Sequence, residues 1–128
     1  MIYGALSVFV FVAEGVLYFL TEPQVRDLVE RMIAGFPGSG FIFDAQSPLY
    51  LSFSNWRQPI ANAELKFSLG SPTRLKEWHP DLRVEQFVGF GDSPFYDQAI
   101  HHVGVAKRLA RFVCPWVRNM FKIVQIGW

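Results

Sequence analysis

Two carboxylates occupy positions from which a parallel sheet could do chemistry. In such sheets ligands bind in the crevice outside the carboxyl ends of the strands, and an acidic side chain just beyond a strand therefore faces that crevice. Glu14 follows the apolar run Ser7 to Ala13 (SVFVFVA) and precedes Gly15, which lets the backbone turn tightly beside a ligand. Asp44 sits inside a second short apolar run, Phe41 to Ala45. From spacing alone each reads first as a solvated strand-end carboxylate. The other reactive residue types point to no site. His79 lies beside a proline, and His101 and His102 are neighbours whose side chains diverge, so no metal site is expected. Ser39 and Ser93 lack the strand-turn-helix setting of an activated nucleophile and read as loop serines. Gly38 and Gly40 close a helix instead of opening one, which excludes a phosphate-binding loop. Lys107, Arg108, Arg111, Arg118 and Lys122, interleaved with Phe112 and Trp116, read as a solvated basic face. No catalytic residue follows from this inventory.

The elements that would position the carboxylates follow from local pattern. Ser7 to Ala13 has no polar alternation and reads as a parallel strand covered on both faces. Thr21-Glu22-Pro23-Gln24 is a capping-box start with proline in the first turn. Val25, Leu28, Val29, Met32, Ile33 and Phe36 then recur at spacings of three and four, opposite Arg26, Asp27, Glu30 and Arg31. Pro37, Gly38 and Gly40 end that helix, and Phe41 to Ala45 follows as a strand. Strand, helix and strand within 40 residues or so make a βαβ unit, which requires a parallel sheet and a right-handed crossover, so the fold class is α/β. Further on, the pattern predicts short helices from Pro48 to Ser54 and from Ser71-Pro72 through Trp78. It also predicts a strand over Leu82 to Phe90 with one partly exposed face, a helix over His102 to Pro115, and a terminal strand over Phe121 to Gly127.

Composition narrows the setting. The chain has 128 residues, one domain or part of one, and its hydrophobic content of 51% and aromatic content of 16% accompany only 18% charged residues. A soluble domain usually carries about 25% charged residues, so this surface calls for a large core or a partner. A net charge of +1 gives no reason to expect nucleic acid or an anionic membrane. Cys114 is the single cysteine, which excludes an internal disulfide and fits a reducing, cytoplasmic setting. The apolar stretch Ala5 to Leu20 is not read as a membrane anchor. No Lys or Arg precedes it before Arg26, and Glu14 inside a span would cost about 3 kcal/mol.

Read in order, VAEGVLYFLTEPQVRDLVERMIAGFPGSGFIFDAQSP, from Val12 to Pro48, resembles a stretch of the leucine carboxyl methyltransferase family, which includes O-methyltransferases of the polyketide-synthesis type. Leu65 to Phe87 (LKFSLGSPTRLKEWHPDLRVEQF) is similar to the family's next small strand, short helix, tryptophan and strand. A weaker similarity runs from Lys107 to Trp128. The resemblance implies the C-terminal half of a class I, Rossmann-like methyltransferase fold. The four visible strands would be the fourth to seventh, with the terminal strand antiparallel between its neighbours. It further implies S-adenosylmethionine as the cofactor of the complete enzyme, and by motif it assigns Glu14 to a position against that cofactor. Phe19 stands where the family usually has tyrosine, and Tyr18 comes one residue earlier.

The family's glycine-rich turn after the first strand and its ribose-binding acidic residue after the second find no counterpart here. Residues 1–128 are therefore expected to form a single partial methyltransferase domain, inactive alone. In the complete enzyme it would serve methyl transfer to a carboxylate or hydroxyl of a small molecule or protein terminus. The expected partners are a complementary N-terminal half, or a second copy through the edge of Ser7 to Ala13. The competing reading is a non-catalytic α/β module that keeps the packing elements for protein association.

Overall fold

The computed structural model describes residues 8–57, 64–92, 104–105 and 120–128. Among these residues four strands and two helices follow in the order β1 (Val10–Ala13), α1 (Glu22–Gly35), β2 (Gly40–Gln46), α2 (Pro48–Arg57), β3 (Arg83–Gly89) and β4 (Phe121–Gly127). The strands form one mixed sheet in the order β1-β2-β4-β3. β1 and β2 are parallel, while β4 runs antiparallel to both β2 and β3, so the last strand lies reversed inside the sheet. The fold is α/β. The expected helix over His102 to Pro115 falls outside the described residues, apart from Gly104 and Val105.

Local chemistry starts and stops α1 where the sequence says it should. The Thr21 hydroxyl accepts from Gln24 N at 3.4 Å and the Gln24 side chain accepts from Thr21 N at 2.9 Å, closing the capping box. Gly38 ends the turn at φ 73°, a left-handed conformation that favours glycine. Val25, Val29, Met32 and Ile33 are buried against Phe41, Phe43, Val124 and Ile126 on one side of the sheet, whereas Leu28 and Phe36 remain partly exposed at the margin. Two i,i+4 pairs, Arg26–Glu30 and Arg31–Asp27, decorate the solvent side.

Around this core several expectations change. β1 is not covered on both faces: Val10 and Val12 are 64% and 70% exposed while Phe11 and Ala13 pack against the core. An uninterrupted apolar run does not reveal whether both faces have neighbours, and among the described residues one face has none. α2 runs on to Arg57, three residues beyond the expected end, and Asn55 exchanges two hydrogen bonds with the backbone of Leu65. The turn Pro72–Glu77 is 3-10 helical, and the Ser71 hydroxyl pairs with Thr73 instead of capping it. Lys122 is buried, not part of a solvated face, because it lies on the core side of β4 and its ammonium donates to Gly70 O at 2.6 Å. Burial pushes its pKa down. Ser39 is likewise buried, and its hydroxyl accepts from Phe9 N at 3.0 Å.

A strap of residues 64–70 crosses the carboxyl ends of β1 and β2. Lys66 N and Phe67 N donate to Tyr18 O, Leu69 N donates to Gln46 O at 2.8 Å, and Lys122 holds Gly70. The strap thereby ties the segment after β1 to the end of β2 and the start of β4.

Two substitutions gauge these contributions. Removing the cap with Thr21→Ala should cost about 1 kcal/mol, whereas Phe43→Ala in the buried sheet should cost about 3 to 5 kcal/mol. Chemical denaturation followed by circular dichroism measures both, and an equal loss from the two would contradict this placement of the core.

Candidate functional site

The parallel pair β1–β2 ends in a side-chain clasp. Along β1 the backbone groups of alternate residues face β2: Phe9 N donates to Ser39 Oγ, and Phe9 O accepts from Gly40 N at 2.9 Å. Phe11, Ala13 and Gly15 follow in the same phase. At Gly15 the chain turns away with φ 67°, and its N–H finds Asp44 Oδ1 at 2.9 Å in place of a backbone carbonyl. The second oxygen of the same carboxylate, Oδ2, accepts from the Tyr18 hydroxyl at 2.6 Å. Asp44 thus fixes both the glycine that follows Glu14 and the 3-10 turn Leu17–Phe19 that carries Tyr18.

Of the two residues singled out by sequence, Asp44 is the clasp and Glu14 is what the clasp presents. The Glu14 side chain is exposed at the lip of an open cleft of about 590 Å3, and no described residue makes a hydrogen bond or ion pair with its carboxylate. The cleft floor is apolar, formed by Val12, Ile42, Val88, Phe121 and Ile123, and its rim holds Glu14, Tyr18, Asp44 and Asp92. Asp92 also accepts from Gly89 N at 3.0 Å and so shapes the end of β3.

The hydroxyl of Tyr18 was not legible as a site group. Its pKa is driven far above the ordinary tyrosine value, first by burial and then by the hydrogen bond and negative charge of Asp44. A phenol held neutral against a carboxylate donates a hydrogen bond and is a poor general base. Asp44, with one oxygen on Gly15 and the other on Tyr18, is committed as well. Among the remaining candidates, His79 Nδ1 accepts from Asp81 N at 3.1 Å, a local loop contact. His101, His102 and Ser93, together with Lys107, Arg108, Arg111 and Arg118, lie outside the described residues. No cluster of metal-binding side chains occurs among the described residues.

The clasp has a titration signature. Tyr18, whose folded pKa is raised, adds stability that is fully present below pH 10 or so, the unfolded tyrosine value, and is lost as pH rises beyond it. Asp44→Asn should bring the Tyr18 transition part of the way back, since burial remains. Tyr18→Phe should cost about 1.5 kcal/mol, the low end for a bond to a charged group, because Asp44 keeps Gly15. Ultraviolet titration with Tyr18→Phe as the reference reads this directly, and a transition unmoved by Asp44→Asn would contradict the hydrogen bond.

Over 90 residues the chain is 31% identical to the tetracenomycin polyketide synthesis O-methyltransferase TcmP of Streptomyces glaucescens. The matched stretch covers 69% of this chain and 33% of that protein, so the chain spans about one third of its relative's length. No family model and no solved structure matches. Among the described residues no helix is long and apolar enough to cross a membrane. By sequence, this α/β chain is related to an O-methyltransferase.

Proposed function

We propose that the chain is a segment of an S-adenosylmethionine-dependent O-methyltransferase of the leucine carboxyl methyltransferase type, contributing one wall of the cofactor site and inactive by itself. The observation that carries this reading is the reversed strand β4 inside the order β1-β2-β4-β3, with the Glu14 carboxylate at the carboxyl end of β1 bonded to no described residue. That is the arrangement implied for the fourth to seventh strands of a class I methyltransferase. The similarity to TcmP supports the same reading.

Methyl transfer is an in-line displacement at a sulfonium carbon, for which the cofactor supplies the methyl group. The protein mainly supplies alignment and a water-poor cavity. The residues present fit one side of that requirement. Glu14 would accept hydrogen bonds from the cofactor's donor groups, and Val12 and Ile42 would exclude water beside it. The described residues offer no second wall. A carboxylate acceptor would need no general base at neutral pH, whereas a phenol would, and neither Tyr18 nor Asp44 is free to act as one. The alternative, a non-catalytic association module, draws on the exposed apolar residues of β1.

Calorimetry with S-adenosylmethionine separates these outcomes. The isolated chain should bind weakly or not at all, and a Kd at or below the micromolar range, about −8 kcal/mol, would contradict the one-wall reading. In an intact enzyme containing the segment, Glu14→Ala should weaken cofactor binding by roughly 1.5 to 3 kcal/mol. An unchanged affinity would remove Glu14 from the site.

A further inference from the structure

The cleft is longer than one carboxylate can serve. β1 and β3 are the outer strands of the order β1-β2-β4-β3, so the end that holds Glu14 and the end that holds Asp92 lie three strand spacings apart, about 14 Å. Val12 and Ile42 floor the Glu14 end, where the cofactor is placed, and Phe121, Ile123 and Val88 floor the other. Register pairs Ile123 with Val88 on one side and with Asp44 on the other, so this second floor runs across β4 and β3. Ile123 and Val88 are 58% and 45% exposed. Asp92, on the rim beside them, is committed through one oxygen: Oδ2 accepts from Gly89 N at 3.0 Å, and no described residue bonds Oδ1. Asp44, by contrast, has both oxygens bonded. Lys122, the one cation among the described lining residues, directs its ammonium to Gly70 O on the core side of β4.

We propose that Asp92 is the acceptor-side carboxylate of the cleft: its second oxygen receives the hydroxyl of a neutral acceptor whose apolar body lies on Val88, Phe121 and Ile123, and takes the hydroxyl proton on methyl transfer. The charge of the rim selects this class of acceptor. A carboxylate would bring a further negative charge to a rim that already carries Glu14, Asp44 and Asp92, and like charges set against each other are costly. A hydroxyl instead gives Asp92 the proton of a charge-assisted hydrogen bond. A general base must lie within hydrogen-bond reach of the proton it removes. Tyr18 and Asp44 are committed to each other and Glu14 belongs to the cofactor end, which leaves Asp92 for the acceptor. Asp92 accepts the hydroxyl proton as the acceptor oxygen bonds to the methyl carbon and the carbon–sulfur bond breaks, its electron pair staying on sulfur. The role as base rests on the proposed function, whereas hydroxyl binding rests on the cleft alone.

The test titrates the 128-residue chain at neutral pH with 2-naphthol and with 2-naphthoate, probes that share an apolar body and differ in hydroxyl against carboxylate. Nuclear magnetic resonance follows the methyl groups of Val12, Val88 and Ile123. 2-Naphthol should move Val88 and Ile123 more than Val12 and bind several-fold more tightly than 2-naphthoate. Asp92→Asn keeps a carbonyl oxygen for Gly89 N and removes the charge. It should weaken 2-naphthol and strengthen 2-naphthoate, opposite changes that a loss of local structure would not produce. Equal or tighter binding of 2-naphthoate by the wild-type chain, a comparison that needs no variant, overturns the proposal. So do shifts centred on Val12, no shifts with either probe, and an Asp92→Asn variant that moves both affinities in one direction or neither. Each of these leaves the cofactor reading intact, since Glu14→Ala in the intact enzyme decides it separately. Unchanged cofactor affinity in Glu14→Ala, alongside hydroxyl-selective binding at Asp92, would instead remove methyl transfer and leave the hydroxyl subsite standing.

Discussion

A single carboxylate, that of Asp44, holds together the end of the parallel strand pair on which the candidate site is built. The ladder between β1 and β2 runs out at Ala13, where Gly15 takes a positive φ and its N–H no longer meets a backbone acceptor. Asp44 supplies the acceptor for this exposed donor and with its other oxygen fixes Tyr18, whose carbonyl in turn receives Lys66 and Phe67 of the strap. The position of Glu14 thus follows from contacts made by its neighbours, while its own side chain stays uncommitted. At the opposite end of the ladder Ser39 performs the equivalent service for Phe9 N. Side chains close both ends of the parallel pair.

The second constraint is the asymmetry of the sheet. α1, the strap and Trp128 cover one side, where the core contains Phe43, Phe67 and Leu75. The indole of Trp128 donates to Phe36 O at 2.7 Å and seals the margin. The other side keeps a polar patch toward β3, where Gln125 joins Gln86 and Glu85, and leaves its valines and isoleucines in water. Burial is worth about 25 cal/mol per Å2 of apolar surface, so this side is where association would gain most. α2 adds a second exposed row, Leu49, Phe53 and Trp56, spaced along one face of the helix. The low charged fraction of the sequence is thereby located.

Interactions confined to a few residues were legible from the sequence, and those set by register were not. The cap of α1 spans Thr21 to Gln24, a contact local enough to be read directly, and the buried face of α1 repeats every turn. The reversed terminal strand was implied by resemblance and matches the observed order. The meeting of Tyr18 with Asp44 joins residues 26 apart and depends on how β1 registers against β2, which no local pattern encodes. The burial of Lys122 and Ser39 is of the same kind. β1 was misread on one face because a run of valine and phenylalanine looks the same whether one or both sides are covered. Glu14 lies just beyond β1 as the spacing suggested, whereas Asp44 lies inside β2 with both oxygens bonded and is no solvated strand-end carboxylate; their division into presented and presenting groups required coordinates.

The hydrogen bond from Gly15 N–H to Asp44 is the most direct point at which the account stands or falls. Nuclear magnetic resonance of the chain carrying Val10→Lys, which opposes edge pairing, would compare exchange of the Gly15 amide with Asp44 intact and in Asp44→Ala. The expected result is a Gly15 amide protected from exchange at neutral pH and exchanging markedly faster in Asp44→Ala. A Gly15 amide that exchanges freely in both would contradict the hydrogen bond, and the turn that presents Glu14 would then have to be held by something else.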